Sequence, residues 1–253
     1  MSTILDFPRL LFVVSLLTLW LFAQLGYFLS SKRPVTEDDR DDLNLVISAS
    51  LTLLALIIGF SFSMAVGRYD QRKNYEEEEA NAIGTEYVRA DLLTAADGAS
   101  VRHLLTQYLE QRMQFYSVGD ARLRASVASE TTKLQAEMWS IVQSAAKAQP
   151  NAATALVVAG MNDVLNRQGY TQAAWWNRIP SEAWYLMMTL AICCSLLLGY
   201  GMRQRRLLLA IALPFLVSIA FFLIADIDSP RRGVIRVVPQ NLMSLSRSLQ
   251  AAK

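Results

Sequence analysis

Residues 59–93 read GFSFSMAVGRYDQRKNYEEEEANAIGTEYVRADLL, an apolar run that passes into a charged one with no proline and no turn cluster between them. Such a segment predicts a helix that leaves a bilayer at Arg68 and continues beyond it as one rod. Upstream the apolar part extends back to Leu43, and the window Leu43–Val66 carries no Asp, Glu, Lys or Arg. Three further windows share that property: Leu10–Ser31, Ala183–Met202 and Leu207–Ala225. At about 1.5 Å of rise per residue each can cross about 30 Å of hydrocarbon. A single charge at a helix centre costs about 2.5 to 3.5 kcal/mol on insertion, so its absence from each window is informative. Four membrane-spanning helices follow. A soluble protein hiding four helices that are apolar all round would need a far larger core.

Composition agrees. Of 253 residues 53% are hydrophobic and 18% charged, and 24 basic against 22 acidic residues leave a net charge of +2. That balance excludes a disordered chain and gives no footprint for binding nucleic acid. The two cysteines, Cys193 and Cys194, are adjacent inside an apolar window, which excludes a disulfide framework. The first window exceeds a typical signal-peptide core and no small-x-small cleavage site follows it before Lys32 and Arg33, so it is read as a retained anchor.

The windows divide the chain into spans one and two (10–66), a helical soluble insert (67–182), spans three and four (183–225) and a C-terminal tail (226–253). The insert is rich in helix formers, and no strand-like alternation occurs. Asp97-Gly98 predicts a break, with Ser100 capping the next helix, whose apolar face is Val101, Leu104, Leu105, Tyr108, Leu109, Phe115 and Tyr116. A second insert helix covers Ala121–Gln149, with Leu123, Val127, Leu134, Met138, Ile141 and Val142 inward and Pro150 as its stop. A third covers Ala152–Gln168 and ends at Gly169. Trp175, Trp176, Trp184 and Tyr185 suit an interfacial aromatic belt, and Ser181 is placed to cap the third span.

Four spans put both termini and the insert on one side. Near the membrane that side has Arg9, Arg68, Arg72, Lys73, Arg167, Arg178, Arg231, Arg232 and Arg236. The two short loops have fewer cations, Lys32, Arg33, Arg40, Arg203, Arg205 and Arg206, but more densely packed. The count favours a cytoplasmic insert, although loop density opposes it.

No enzyme constellation occurs: there is no Walker loop, no G-x-G-x-x-G and no G-x-S-x-G, and no cofactor or metal is expected. His103 is the single histidine and reads as a partly exposed helix residue. Glu76–Glu79 could attract a cation, but four consecutive helical glutamates radiate around the axis, so a solvated helix turn is expected. Asp226 and Asp228 fall short of the six to eight oxygens a calcium ion takes. The second span holds Ser48, Ser50, Thr52, Ser61 and Ser63, and its Gly59 and Gly67 would admit a neighbouring helix. Both a water path and plain helix packing fit that pattern.

Arg68-Tyr69, Glu79-Ala80-Asn81, Ile83-Gly84 and Arg89 resemble the signature of the bacterial bestrophin-like domain family, as does Asp228-Ser229-Pro230-Arg231-Arg232-Gly233 after the fourth span. The resemblance covers nearly the whole chain. Gly59-Phe60 followed by Arg68-Tyr69 and Arg72 is more distantly similar to the second span of the bestrophin anion channels. What the resemblance implies is an all-α membrane fold and a homo-oligomer, a pentamer in the channel family. The second spans would line a central pore for inorganic ions, with a neck of bulky apolar residues at Thr52, Leu56 and Phe60. Thr52 departs from that apolar pattern. Ser63, Met64, Arg68 and Arg72 would line the pore or its vestibule, the arginines biasing it toward anions, while Glu76–Glu79 could favour cations. The family's calcium clasp is not expected, because Arg231 and Arg232 stand where acidic residues would. The competing expectation is a membrane-anchored helical scaffold or sensor that binds a partner through its insert, with Leu56 and Phe60 packed into a closed monomer core.

Overall fold

The computed structural model describes residues 4–32, 36–202 and 207–251. Among these residues there are eight α-helices: α1 (Pro8–Lys32), α2 (Asp39–Arg89), α3 (Ala95–Ser117), α4 (Ala121–Ala148), α5 (Ala152–Trp176), α6 (Ser181–Gly201), α7 (Leu207–Asp228) and α8 (Gln240–Ala251). Short 3-10 turns cover Ile4–Asp6 and Ala90–Leu92, and there is no strand among the described residues. Arg33, Arg203, Arg205 and Arg206, which weigh in the charge count, lie outside them. Among the described residues four helices are long and apolar enough to cross a membrane: Pro8–Lys32, Asp39–Leu92, Ala210–Asp228 and one within Ala152–Gly201, the stretch that holds α5 and α6. The rod expected from the opening segment is present, since α2 runs unbroken for 51 residues.

The chain divides into two compact units. The first comprises residues 1–69 and 178–236, and in it α1 packs against α6 and α7. Its core includes Leu19, Leu54, Met187, Cys194, Phe221 and Ile224. Helices can come this close because glycine faces backbone: a Cβ on Gly26 would collide with the carbonyl of Leu196, and one on Gly199 with that of Ala23. In lipid, where burial of apolar surface drives little, such small-residue contacts carry helix association. Gly59 and Gly67, the glycines expected to seat a neighbouring helix, meet nothing within 4 Å in this chain.

The second unit comprises residues 70–177 and 237–253 and so includes α8. Here α3 packs on α4 and α8, and α4 on α5. Val101, Leu105, Tyr108 and Leu109 of α3 are buried with Met138 and Val142 of α4 and Val157, Met161 and Val164 of α5. Each such fully buried side chain contributes about 1.5 to 3 kcal/mol. Leu123, expected inward, is exposed.

Three boundaries differ from expectation. Thr94, not Ser100, caps α3, accepting from the Asp97 amide at 3.2 Å, while the Ser100 hydroxyl donates to the Ala96 carbonyl inside the helix. Gly98 lies within the first turn because a side chain there would strike the Ala90 carbonyl. Helix α5 passes through Gly169 to Trp176. A mid-helix glycine costs about 1 kcal/mol relative to alanine, which burial of Thr171, Ala174 and Trp175 offsets. Ser181 opens α6 but makes no cap, and Pro180 stands at the cap position. The aromatic belt also splits. Trp175 is buried against Phe115 and Tyr116, and Trp184 against Phe221, leaving Trp176 and Tyr185 exposed.

Candidate functional site

Within the spanning part of α2, Leu54, Ser61 and Ala65 recur at helical spacing and are buried. Another face carries Ser48, Thr52, Leu56, Phe60 and Ser63, all exposed, with Met64 beside them. Leu56 is 52% exposed and Phe60 62%. The Thr52 hydroxyl turns back to the Ser48 carbonyl at 2.8 Å, which satisfies it without a partner from another helix. Leu56 and Phe60 therefore lie outside the core of their own chain, and the closed monomer core of the scaffold reading is not what α2 forms.

The end of the span is ordered by two aspartates. Asp228 accepts from the Ile179 amide at 3.2 Å and from Arg178 Nε at 3.4 Å, and Arg178 also pairs with Asp6. Arg68, largely buried, places Nη1 4.0 Å from Asp228 and Nη2 3.5 Å from the Met64 sulfur. Asp226 accepts from the Val234 and Ile235 amides at 2.7 and 2.8 Å, folding back the turn that begins at Pro230. Gly233 in that turn passes so near the Asp226 carbonyl that a Cβ would collide with it. Both carboxylates thus face N–H donors, an arrangement that organises a turn and a helix start and leaves little lone-pair capacity for a cation. Among the described residues no group of three or more His, Cys, Asp or Glu side chains is disposed to hold a metal ion. His103 is exposed, its ring 3.2 Å from the Gln107 amide nitrogen.

Arg72 is buried within its own chain, and its Nε and Nη2 donate to the carbonyls of Ala174 and Asn177 at 3.2 and 3.3 Å, closing the C-terminal end of α5. A cation there meets the unsatisfied carbonyls of a helix end.

The glutamate run is likewise no solvated turn. Glu76 and Glu79 are fully buried, Glu78 is half-buried and only Glu77 is exposed. Glu76 accepts from the Leu242 amide at 2.9 Å and the Asn241 side chain at 2.7 Å, fastening the first turn of α8. Glu78 pairs with Arg167. Glu79 pairs with Arg112 and accepts from the Thr171 hydroxyl at 3.1 Å. The Arg112 guanidinium lies 4.5 Å from the Phe115 ring centre, and Phe115, Tyr116 and Trp175 meet edge to face. Burial, with the Glu79 charge adding to it, pushes the Tyr108 and Tyr116 phenols above their ordinary range. Arg72, Glu76, Glu79, Ile83 and Glu86 are all buried and fall at three- and four-residue steps, so the inward stripe of this part of α2 is largely ionic. Sequence reading missed it because charge passes for solvent exposure; the signal was the spacing.

Tyr69 is half-buried, Asn81 is exposed, and Gly84 leaves room for the Leu245 side chain of α8. Arg89 crowds Gly160 of α5.

An all-α membrane protein with four spans and a helical unit between the second and third is thus defined. The family model for the Bestrophin-like domain matches residues 10–242, and the chain belongs to that family. Crystal structures of a bacterial bestrophin homologue from Klebsiella pneumoniae share the fold. One point-mutant form superposes with a TM-score of 0.67 at 12% identity, over 95% of this chain and 96% of that one. Another gives 0.64 at 14% identity over 96% and 98%, and a third crystal structure gives 0.63 at 13% over 94% and 97%. A comparison with curated proteins found no match.

Proposed function

We propose that the protein is an oligomeric, bestrophin-type ion channel in which copies of α2 surround a shared passage, a pentamer by family resemblance, with Leu56 and Phe60 forming an apolar constriction and Thr52 a polar ring beside it. The observation that carries this reading is the composition of the free face of α2: Leu56 and Phe60, with Leu45 and Leu53 on the same side, are turned away from their own bundle and interleaved with the hydroxyls of Ser48, Thr52 and Ser63. A face meant only for lipid has no need of hydroxyls at both ends. A narrow apolar ring gates by dewetting, being costly to fill with water and ions until it widens.

The anion preference expected of Arg68 is weakened by the Asp228 carboxylate beside it, and Arg72 is buried, its guanidinium held against the α5 carbonyls. Exposed charges on the next turns of α2 are Asp70, Lys73 and Glu77. In this proposal the passage conducts small inorganic ions with no strong anion filter on α2, and the insert and termini are cytoplasmic.

The test is ion flux through liposomes holding the assembled protein, with separate anion and cation readouts. Leu56→Ala and Phe60→Ala are expected to raise flux several-fold over wild type. Background flux in all three would refute the channel.

A further inference from the structure

We propose that Glu86 is a proton-binding site of the helical unit: its carboxyl group is held neutral against Gly160 of α5, and on losing its proton it swings toward Arg89 and the adjoining polar cavity, loosening the contact between α2 and α5. Glu86 is fully buried, and neither carboxyl oxygen has a hydrogen-bond partner. It differs in this from Glu76, Glu78 and Glu79 on the same helix, each of which is met by a donor. An ionised carboxylate without a donor is among the costliest groups a protein can bury, whereas its neutral form is far cheaper.

The packing around it is specific. Glu86 reaches α5 only where a glycine stands: a Cβ at 160 would collide with Glu86 Oε2 and with Arg89 Nη1. Carboxyl and guanidinium therefore crowd the same point, yet no hydrogen bond joins them. Behind that point lies a cavity of about 360 Å³ lined by Glu78, Asn81, Thr85, Arg89, Asp163 and Arg167 among others. The charged groups around Glu86 are Arg89 on its own helix, Asp163 on α5, and the Glu78–Arg167 pair across the cavity. The Asp91–Arg102 pair lies beyond, joining the 3-10 turn to α3. Burial raises the Glu86 carboxyl from 4.5 to about 7, with Arg89 drawing it down and Asp163 pushing it up. The charge thus changes near neutral pH, and a cationic partner for the charged form already stands one turn away.

Two measurements on the full-length protein in nanodiscs test this. An infrared pH titration of the wild type should show one protonated carboxyl band lost with a midpoint near 7, absent from Glu86→Gln and unaffected by His103→Gln. Hydrogen exchange of the α5 segment around residue 160, corrected for intrinsic rates, should become several-fold faster from about pH 5.5 to about pH 8 in the wild type and stay constant in Glu86→Gln. Absence of the band in the wild type, or pH-dependent exchange that persists in Glu86→Gln, overturns the proposal. Should Glu86→Gln fail to assemble, Gly160→Ala provides an independent variant: its methyl group takes the space where Glu86 Oε2 and Arg89 Nη1 meet and displaces both, so the carboxyl leaves its buried seat for the adjoining cavity and the band's midpoint should fall by a unit or more; an unchanged midpoint overturns the proposal.

Discussion

Arg112→Met is the substitution whose effect the structure specifies most fully. It removes the guanidinium that pairs with Glu79 and lies over Phe115, and it leaves Glu79, which has no exposure, with the Thr171 hydroxyl as its remaining donor. Breaking a buried pair by deleting one partner costs about 3 to 5 kcal/mol, because an uncompensated charge stays behind. For a chain of this size about 1 kcal/mol moves the melting temperature by 2 to 4 °C, so a fall of about 6 to 20 °C is expected. Thermal unfolding in detergent, followed by tryptophan fluorescence, reads the change where it occurs, since Trp175 packs on Phe115 and Tyr116. The double variant Glu79→Leu with Arg112→Met replaces the pair with apolar groups and should regain most of the loss. A single variant that melts within about 2 °C of wild type, or a double variant worse than the single, would refute the assignment of Glu79 and Arg112 as a mutually dependent buried pair.

Glu86→Gln should separate from wild type only at higher pH. The folded state holds the Glu86 proton more tightly than the unfolded chain does, so wild-type stability is full below about 4.5, falls as pH rises through 7, and is flat above. The gap reaches at most about 3 kcal/mol, and parallel melting curves of the two proteins from pH 5 to 8 would contradict it. Gly199→Val drives a side chain into the Ala23 carbonyl and should prevent α1 and α6 from packing, read as loss of folded protein on size exclusion while Gly59→Val, at a position that meets nothing in this chain, keeps the protomer folded. Asp228→Asn removes the charge shared by Arg178 and Arg68 and should raise limited proteolysis at the α5–α6 connection around residues 177–180; unaltered cleavage would mean that the Ile179 amide contact alone holds that segment.

The spans were legible because lipid imposes a local rule. Every residue of an apolar window must satisfy it, so Leu10–Ser31 or Leu43–Val66 can be read without knowing any neighbour. The continuity of α2 was legible for a similar reason, the lack of anything to stop it. What could not be read was set by partners far away in the chain. Glu79 is buried because Arg112 and Thr171 come to it, and Arg72 because α5 ends beside it. Taken alone, each looks like a surface charge. Gly169 and Ser100 are local stop and cap signals that lost to burial of Thr171 and Trp175 and to the hydroxyl of Thr94, contests whose outcome depends on the assembled core. At the candidate constriction the residues could be named from spacing and resemblance, but their exposure required coordinates.

Because the ionic stripe of α2 lies on an unbroken helix, the direction of each member is set by residue count. Each residue advances the helix by about 100°, so Arg72, Glu76 and Glu79 reach their partners only while the spacing between them is kept. Inserting one residue between 77 and 78 would turn Glu79 by that angle against Arg72 and Glu76, though every side chain stayed the same. Evolution can therefore exchange the exposed residues of this stretch far more freely than it can add or delete any, and natural relatives should vary there in letter and not in length.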